Sequence, residues 1–392
     1  MHQRVLQLQE TLKRKSLFLF GPRQTGKTTY LQNHFPEALF IQLLNPSTYQ
    51  MYLENPGSLE SDLLLHFRKS KSPIVIIDEV QKWPQILDAV HEQIEKNKQL
   101  RFILTGSSAR KLKRSGANLL GGRASWINMF PLCYPEIKDQ LITVQDLEKR
   151  ILLGGLPAFF DSTSFYADWQ DYVNLYLNEE IKQEGLVRNH EAFHRFLLVA
   201  GLTNSQQVNF TQLGSDTQVP PRTVHDYFQI LQDTLVGYLL KPYTQTVTRK
   251  AQASSKFYLF DTGLTNALCK RQSLAAKTSE FGPLFEQFVI GEVKAYIGYN
   301  NKDCEIFYWR SQSRFEVDLI VQTNKEIWAV EIKSKNAYDK DDLKGLKAFA
   351  EDKPECKKIL ILLQCRQHIV DKDIDVVSVF DFLPQLWQGQ YW

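Results

Sequence analysis

Residues 21–28 read Gly-Pro-Arg-Gln-Thr-Gly-Lys-Thr and satisfy the pattern G-x-x-x-x-G-K-[ST] in full. Gly21 and Gly26 let the backbone curl so that its N–H groups face a phosphate, with Pro22, Arg23, Gln24 and Thr25 forming the loop between them. The stretch opens a helix whose N-terminal dipole favours an anion. Lys27 is placed to reach the β- and γ-phosphates of a nucleotide, Thr28 to ligate Mg²⁺ through its hydroxyl, and Thr29 ends the binding stretch. Downstream, Ile-Val-Ile-Ile-Asp-Glu (74–79) is an apolar strand with Asp78 and Glu79 at its carboxyl end, the end at which open α/β sheets bind ligands. Asp78 suits the Mg²⁺ shell and Glu79 suits a general base that polarises water. Together these residues imply an ATP site with Mg²⁺ as cofactor and ATP and ADP as partners.

Two further positions fit that chemistry, each with an alternative. In Leu-Thr-Gly-Ser-Ser-Ala-Arg (104–110), Thr105 and Ser107 are candidates to touch the γ-phosphate or the attacking water; they equally suit a helix cap. Arg123, in Leu-Leu-Gly-Gly-Arg-Ala, is placed to stabilise transition-state charge on a neighbouring subunit's nucleotide. It equally suits a surface or structural arginine of its own subunit.

A second constellation lies near the C-terminus. Asp318 in Phe-Glu-Val-Asp-Leu-Ile-Val and Glu331 with Lys333 in Ala-Val-Glu-Ile-Lys fall on strand-like runs, where period-2 alternation turns Glu331 and Lys333 to one face. Glu286 or Glu292 on the preceding helix-like stretch would supply a further carboxylate, and Glu316 shares a face with Asp318. Asp318 and Glu331 as oxygen ligands to Mg²⁺, with Lys333 assisting, would make a metal-dependent nuclease site. Three readings stand: cleavage, a degenerate site that only binds nucleic acid, and an ordinary hairpin with charged outer positions. The apolar frame Trp-Ala-Val-Glu-Ile-Lys speaks against the last.

Positioning these groups takes at least two α/β units. Apolar runs at 16–20, 38–44, 72–78, 101–106 and 125–130 alternate with helix-like segments, the pattern of a doubly wound parallel sheet. Residues 138–240 read mostly helical, and Phe165–Ile181 carries a core-facing aromatic stripe. Residues 209–243 hold a short helix, a turn at Pro220 and Pro221, an amphipathic helix and a strand-like exit. That is the layout of a helix-turn-helix with a wing. The wing region, with Arg249, Lys250 and Lys256, suits DNA contact or packing within the protein. Strand-like runs at 305–310, 315–321, 326–333 and 358–364 form a second, smaller α/β unit, with a polar boundary near 265–282.

Composition narrows the class. Of 392 residues, 43% are hydrophobic and 23% charged, so a sizeable core can be buried. A net charge of +3 gives no overall polyanion-binding signal. The five cysteines are scattered without a C-x-x-C pair, which suggests neither zinc nor a disulfide framework and suits a reducing, cytoplasmic setting. No secretory leader is read at the N-terminus and no apolar run of membrane-spanning length is present.

Gly-Pro-Arg-Gln-Thr-Gly-Lys-Thr-Thr, Ile-Val-Ile-Ile-Asp-Glu-Val-Gln-Lys-Trp-Pro, Leu-Thr-Gly-Ser-Ser-Ala-Arg and Leu-Leu-Gly-Gly-Arg-Ala, in this order, resemble a family of prokaryotic AAA+ type ATPases related to the STAND and Orc groups. Its members carry an uncharacterised C-terminal domain with restriction-endonuclease-like features. Gly-Gly-Leu-Pro (154–157) resembles the family's lid element and a nucleotide-sensing Gly-x-Pro motif, which makes Pro157 a candidate nucleotide contact. Tyr-Leu-Phe-Asp-Thr-Gly-Leu (258–264) resembles the family's Asp-x-Gly segment. One departure is Asn45, near which the family carries a carboxylate. The resemblance implies a P-loop AAA+ type ATPase domain at 1–135, a helical lid at 136–190, a winged helix at 191–265 and a restriction-endonuclease-like α/β domain at 266–392. It implies a nucleotide-driven switch whose C-terminal domain binds or cleaves DNA, with homo-oligomers possible. The alternative is a nucleotide-regulated interaction protein with a non-catalytic recognition module.

Overall fold

The computed structural model describes residues 2–55, 57–70, 72–108, 120–177, 187 and 189–392. The end of the stretch at 104–110, the helix expected before Arg123 and the last residues of the aromatic stripe at 165–181 lie outside the described residues. The chain divides into two compact units, one of residues 4–130 with 233–235, the other chiefly of residues 131–232 and 236–392.

The first unit holds a five-stranded sheet of β1 (Ser16–Phe20), β2 (Leu39–Gln42), β3 (Ile74–Asp78), β4 (Arg101–Gly106) and β5 (Ala124–Asn128) in the order β2-β3-β4-β1-β5. Every pairing is parallel. β1 is buried along its whole length, and β3 and β4 are buried beyond their first residues. These strands therefore carry continuous apolar runs rather than alternation. The helix Ile86–Lys96 buries Ile86, Leu87, Val90 and Ile94 at helical spacing. Each such side chain stabilises the sheet by roughly 1.5–3 kcal/mol. The order places the carboxyl ends of β1, β3 and β4 side by side.

In the second unit, helices His190–Leu202, Phe210–Thr217 and Pro221–Asp233 accompany a small antiparallel sheet. Its strands β6 (Gln206–Gln207), β7 (Gly237–Leu240) and β8 (Lys256–Leu259) run in the order β6-β8-β7. Asn209 caps the second helix, accepting from the N–H groups of Thr211 and Gln212. Pro221, which lacks an N–H, begins the third at the position where none is needed.

The helix Phe281–Tyr299 then leads into a six-stranded mixed sheet. Its strands are β9 (Cys304–Arg310), β10 (Glu316–Thr323), β11 (Ile327–Lys333), β12 (Lys357–Leu362), β13 (His368–Val370) and β14 (Ile374–Ser378), ordered β13-β14-β12-β11-β10-β9. β9, β10 and β11 are antiparallel; β11, β12 and β14 are parallel. β13 and β14 escaped the sequence reading because one has only three residues and the other is interrupted by Asp375.

Two short motifs meet in this unit. The Asp261 carboxylate accepts from the N–H of Gly155 at 2.8 Å and from that of Gly263 at 2.7 Å. Gly-Gly-Leu-Pro and Asp-Thr-Gly are thus two sides of one buried knot, closed by Trp169 donating to the Leu153 carbonyl at 2.8 Å.

Glu292 is buried on the long helix, accepting from the Tyr134 N–H at 3.0 Å and from the Trp387 indole at 3.0 Å. Burial, only partly offset by the Tyr134 N–H, pushes its carboxyl up to about 7. A carboxyl raised in the folded state binds more protons there than in the unfolded chain, so the contribution of Glu292 to stability falls as pH rises from about 4.5 to about 7. Glu292→Gln is expected to flatten the slope of denaturation midpoint against pH in that window. An unchanged slope in urea titrations at pH 5, 6 and 7.5 would contradict the assignment.

Candidate functional site

The residues predicted for nucleotide chemistry converge where β1, β3 and β4 end. Gly26 has φ +88°, the left-handed region where glycine is at ease, and starts the helix Lys27–His34. The loop is pinned from outside: Arg4 donates to the Thr25 carbonyl at 2.7 Å and to the Phe130 carbonyl at 2.6 Å. Thr25 donates back to the Pro22 carbonyl at 2.9 Å. Lys27 Nζ folds onto the carbonyls of Gly21 and Pro22 at 2.7 and 2.9 Å. The ammonium is thereby held over the loop by acceptors that a phosphate would outcompete.

The acidic side of the site is equally ordered. Thr28 Oγ1 donates to Asp78 Oδ2 at 2.9 Å. Thr105 Oγ1 donates to Asp78 Oδ1 and accepts from the Glu79 N–H at 3.2 Å. Thr105 thus fixes the Asp78 carboxylate and the Glu79 backbone, a direct structural task beside the capping that the sequence allowed. Glu79 has φ +62°, a left-handed conformation that costs a non-glycine residue about 1–3 kcal/mol and persists where the surroundings enforce it. Burial raises its carboxyl above the usual range, opposed by the charge of Lys27, which suits a base that must take a proton near neutral pH.

Sequence reasoning missed Gln81. Its amide donates to Glu79 Oε2 and, at 3.1 Å, to Ser107 Oγ, so Glu79, Gln81 and Ser107 form one buried line. Only its place two residues beyond Glu79, at the end of β3, signalled it. Gly106 makes room: a Cβ there would overlap the Gln81 amide oxygen. The set fits Mg²⁺ and ATP, since Thr28 and Asp78 already share a hydrogen bond where a metal ligand pair is needed and Lys27 faces the curled loop.

The remaining two predicted residues stand differently. Arg123 donates through Nε to Glu95 Oε1, a carboxylate that also binds Lys98 at 2.6 Å, and is 40% exposed in its side chain. Pro157 begins the helix Pro157–Phe160, just past the Asp261 knot.

The C-terminal carboxylates also come together. Asp318 Oδ2 accepts from the Ile332 N–H at 2.9 Å and from Lys333 Nζ at 3.5 Å, while Lys333 also pairs with Glu331 Oε1. Asp318 and Glu331 hold the Lys333 ammonium well above its ordinary range despite burial. Glu331 is itself pushed up by burial and by Asp318. Helix Lys344–Ala350 packs so closely here that a Cβ on Gly345 would overlap the Glu316 carbonyl oxygen. Of the two helical candidates, Glu286 joins the cluster and Glu292 serves the packing described above.

The link to Glu286 is Lys256, the first residue of β8. It pairs with Glu286 at 3.0 Å, Glu316 at 2.6 Å and Asp318 at 3.7 Å. The sequence placed Lys256 on a basic wing; it is buried instead. Arg249 of the same stretch forks onto Glu351 at 2.8 and 2.9 Å. Of the three basic residues only Lys250 is exposed.

Among the described residues, no three His, Cys, Asp or Glu side chains are grouped to hold a metal ion. Two carboxylates, Asp318 and Glu331, remain as a donor pair. That suits Mg²⁺, which commonly takes one or two carboxylates together with water and substrate phosphate. Consistent with an acceptor to spare, Glu331 Oε2 is buried without a hydrogen-bond partner.

Comparison with known proteins agrees with the first unit's architecture. Residues 13–138 match the AAA domain family. Residues 144–275 and 281–382 match two families described as domains of unknown function, DUF8612 and DUF4143. An uncharacterized protein of Mycobacterium tuberculosis is 26% identical over 328 residues, covering 81% of this chain and 70% of its own. One of Haemophilus influenzae is 22% identical over 394 residues, covering 93% of each chain. Among solved structures, protein VC1899 from Vibrio cholerae aligns over 96% of this chain and 97% of its own, with 13% identity and a TM-score of 0.23. Among the described residues no helix is long and apolar enough to cross a membrane.

Proposed function

We propose, from the AAA-type domain at residues 13–138, that this protein is a Mg²⁺-dependent ATP-hydrolysing switch whose C-terminal region is a nuclease-like domain acting on nucleic acid. One observation carries the first half: Thr28, Asp78, Thr105 and Glu79 form a single hydrogen-bonded set where three parallel strands end. Mg²⁺, when bound, neutralises charge on the phosphates. With nucleotide bound, Lys27 would exchange its loop carbonyls for the phosphates, Thr28 and Asp78 would hold the metal's shell, and Glu79 would draw a proton from the attacking water. Gln81 and Ser107 keep Glu79 aimed. Arg123, released from Glu95, would serve a neighbouring subunit's nucleotide in a homo-oligomer.

The finer division follows the same reading: a lid at 136–190 in which Pro157 contacts nucleotide, a winged helix at 191–265 and an endonuclease-like domain at 266–392. In support, β6, β7 and β8 with their three helices have a winged-helix order, and the β9–β12 sheet presents Asp318, Glu331 and Lys333 on one face. In that site Asp318 and Glu331 would hold a divalent ion and Lys333 would contact the phosphodiester.

A second reading has its own observation. Lys256 and Lys333 already neutralise much of the acidic cluster, as in a site that recognises without cutting. Incubation with Mn²⁺ or Mg²⁺ and single-stranded, nicked or duplex DNA decides between them. Cleavage that Lys333→Ala abolishes supports the nuclease; no metal-dependent cleavage of any substrate leaves the recognition module.

A further inference from the structure

A cleft of about 180 Å³ lies at the polar stretch that precedes the long helix Phe281–Tyr299. The end of the helix His190–Leu202, with Asn204 and Gln206, forms one wall. Pro283 and Leu284, in the first turn of the long helix, form the other, and Arg271 and Ser279 close the cleft. Most polar groups here have partners. The Gly201 carbonyl accepts from the Asn204 N–H at 3.4 Å, and the Leu202 carbonyl from the Gln206 amide at 3.5 Å. Asn204 donates to Gln287 Oε1 at 2.9 Å and accepts from the Leu259 N–H at 2.9 Å, and Thr265 donates to the same Gln287 oxygen at 3.0 Å. Among the described residues of this lining, one side-chain nitrogen or oxygen is buried without a hydrogen-bond partner: Nη1 of Arg271. The Arg271 backbone is fixed, its N–H donating to the Asn266 carbonyl at 2.8 Å. The guanidinium also bears on the Cys269 thiol, a weak acceptor. Its charge is felt by Glu280, an exposed carboxylate at the rim that accepts from the Ser279 hydroxyl at 3.2 Å.

The unmet group is a donor on a cation, so the missing partner is an acceptor, and a guanidinium fork matches an oxyanion. The cleft is smaller than the roughly 300 Å³ at which pockets begin to enclose a drug-sized molecule, which limits the anion to a single phosphate-sized group. The first turn of a 19-residue helix adds a positive dipole end to one wall. We infer that Arg271 holds a phosphate-sized oxyanion in this cleft, with the Ser279 hydroxyl and the Gln206 amide as further donors and Glu280 as a competitor for the same charge. Arg271 lies in the stretch matched by one family and the helix start in the stretch matched by another, so the site is complete only when both are present. The oxyanion has two sources, free phosphate and the terminal phosphate of a nucleic-acid strand. The second source rests on the nuclease-like reading of the C-terminal region. Glu286 of the acidic cluster follows Pro283 by one helical turn, so a strand end held by Arg271 would lie beside that cluster.

The test titrates inorganic phosphate calorimetrically into the full chain carrying Lys27→Ala, which removes the competing phosphate loop, at constant ionic strength. One phosphate per chain is expected. Arg271→Gln in that background should weaken binding by about tenfold or more, the loss of a charge-assisted hydrogen bond. Arg271→Lys, which keeps the charge without the fork, should fall between the two. Glu280→Gln, which removes the competing charge, should tighten binding about two- to fivefold. The same comparison in the chain with native Lys27, saturated with ADP, repeats the measurement without the loop variant. Equal phosphate affinity with and without Arg271→Gln, or no phosphate binding by either, overturns the proposal. A Glu280→Gln protein that melts earlier and binds no phosphate also overturns it, because Arg271 then serves only to pair with Glu280. Oligonucleotides with phosphorylated and hydroxyl ends, compared in chelator, separate the sources. Tighter binding of a phosphorylated end that Arg271→Gln erases assigns the strand terminus. Equal binding of both ends, with inorganic phosphate still bound, assigns free phosphate. The phosphate titration involves neither metal nor cleavage, so absence of nuclease activity refutes the nuclease reading and leaves the Arg271 result to stand or fall by itself.

Discussion

Lys27→Ala is expected to weaken ATP binding about ten- to hundredfold, the equivalent of losing one or two charge-assisted hydrogen bonds of roughly 1.5–3 kcal/mol in all. Turnover should fall further, by about 10²–10³, because a preorganised donor aimed at charge that develops in the transition state contributes most there. The fold should survive. Lys27 contacts the carbonyls of its own loop at 2.7 and 2.9 Å, and the loop is independently held by Arg4 and Thr25. Titration with a fluorescent ATP analogue, alongside far-UV circular dichroism, separates loss of binding from loss of fold. Wild-type affinity in a folded Lys27→Ala protein would place the nucleotide elsewhere.

The second large effect is structural. Gly154 has φ +78° and ψ −170°, a region essentially restricted to glycine. A Cβ there would overlap the Asp261 carboxylate and crowd Gly263. Gly154→Ala therefore strains the backbone and pushes away the acceptor that holds the N–H groups of Gly155 and Gly263. A loss of about 3 kcal/mol or more is expected, from strain together with a buried, displaced carboxylate. Urea unfolding followed by tryptophan fluorescence would report it, since Trp169 donates to the Leu153 carbonyl beside the knot. Asp261→Asn, which keeps one acceptor, should lose less. A Gly154→Ala protein as stable as the wild type would mean that the knot does not hold this unit together.

These two sites show what was legible in the chain. The phosphate loop and the Asp78–Glu79 strand end could be read directly, because their chemistry requires fixed residues at fixed short spacing. The parallel sheet could be read from continuous apolar runs, which only strands buried on both faces need. Asp318, Glu331 and Lys333 were legible as a pattern, since alternation on one hairpin brings them together locally. Lys256 was not. It joins carboxylates 30 to 62 positions away in sequence only through the packing of β8 against the long helix and β10, and in sequence it looks like one more basic residue on a wing. Gln81 was hidden for a related reason: an amide shows its role only when both its neighbours, Glu79 and Ser107, are in place. The glycines of Gly-Gly-Leu-Pro carried a nucleotide-sensing reading by resemblance, while their structural partner, Asp261, lies more than a hundred residues away.

Phosphate release by the purified full chain, measured continuously with Mg²⁺ and ATP, tests the central claim most directly. Steady turnover is expected from the wild type, lost on chelating Mg²⁺, and absent in Glu79→Gln although that variant still binds ATP. Release from Glu79→Gln at the wild-type rate, or a wild type that binds ATP and never hydrolyses it, would contradict the assignment of Glu79 as the base of an ATP-driven switch.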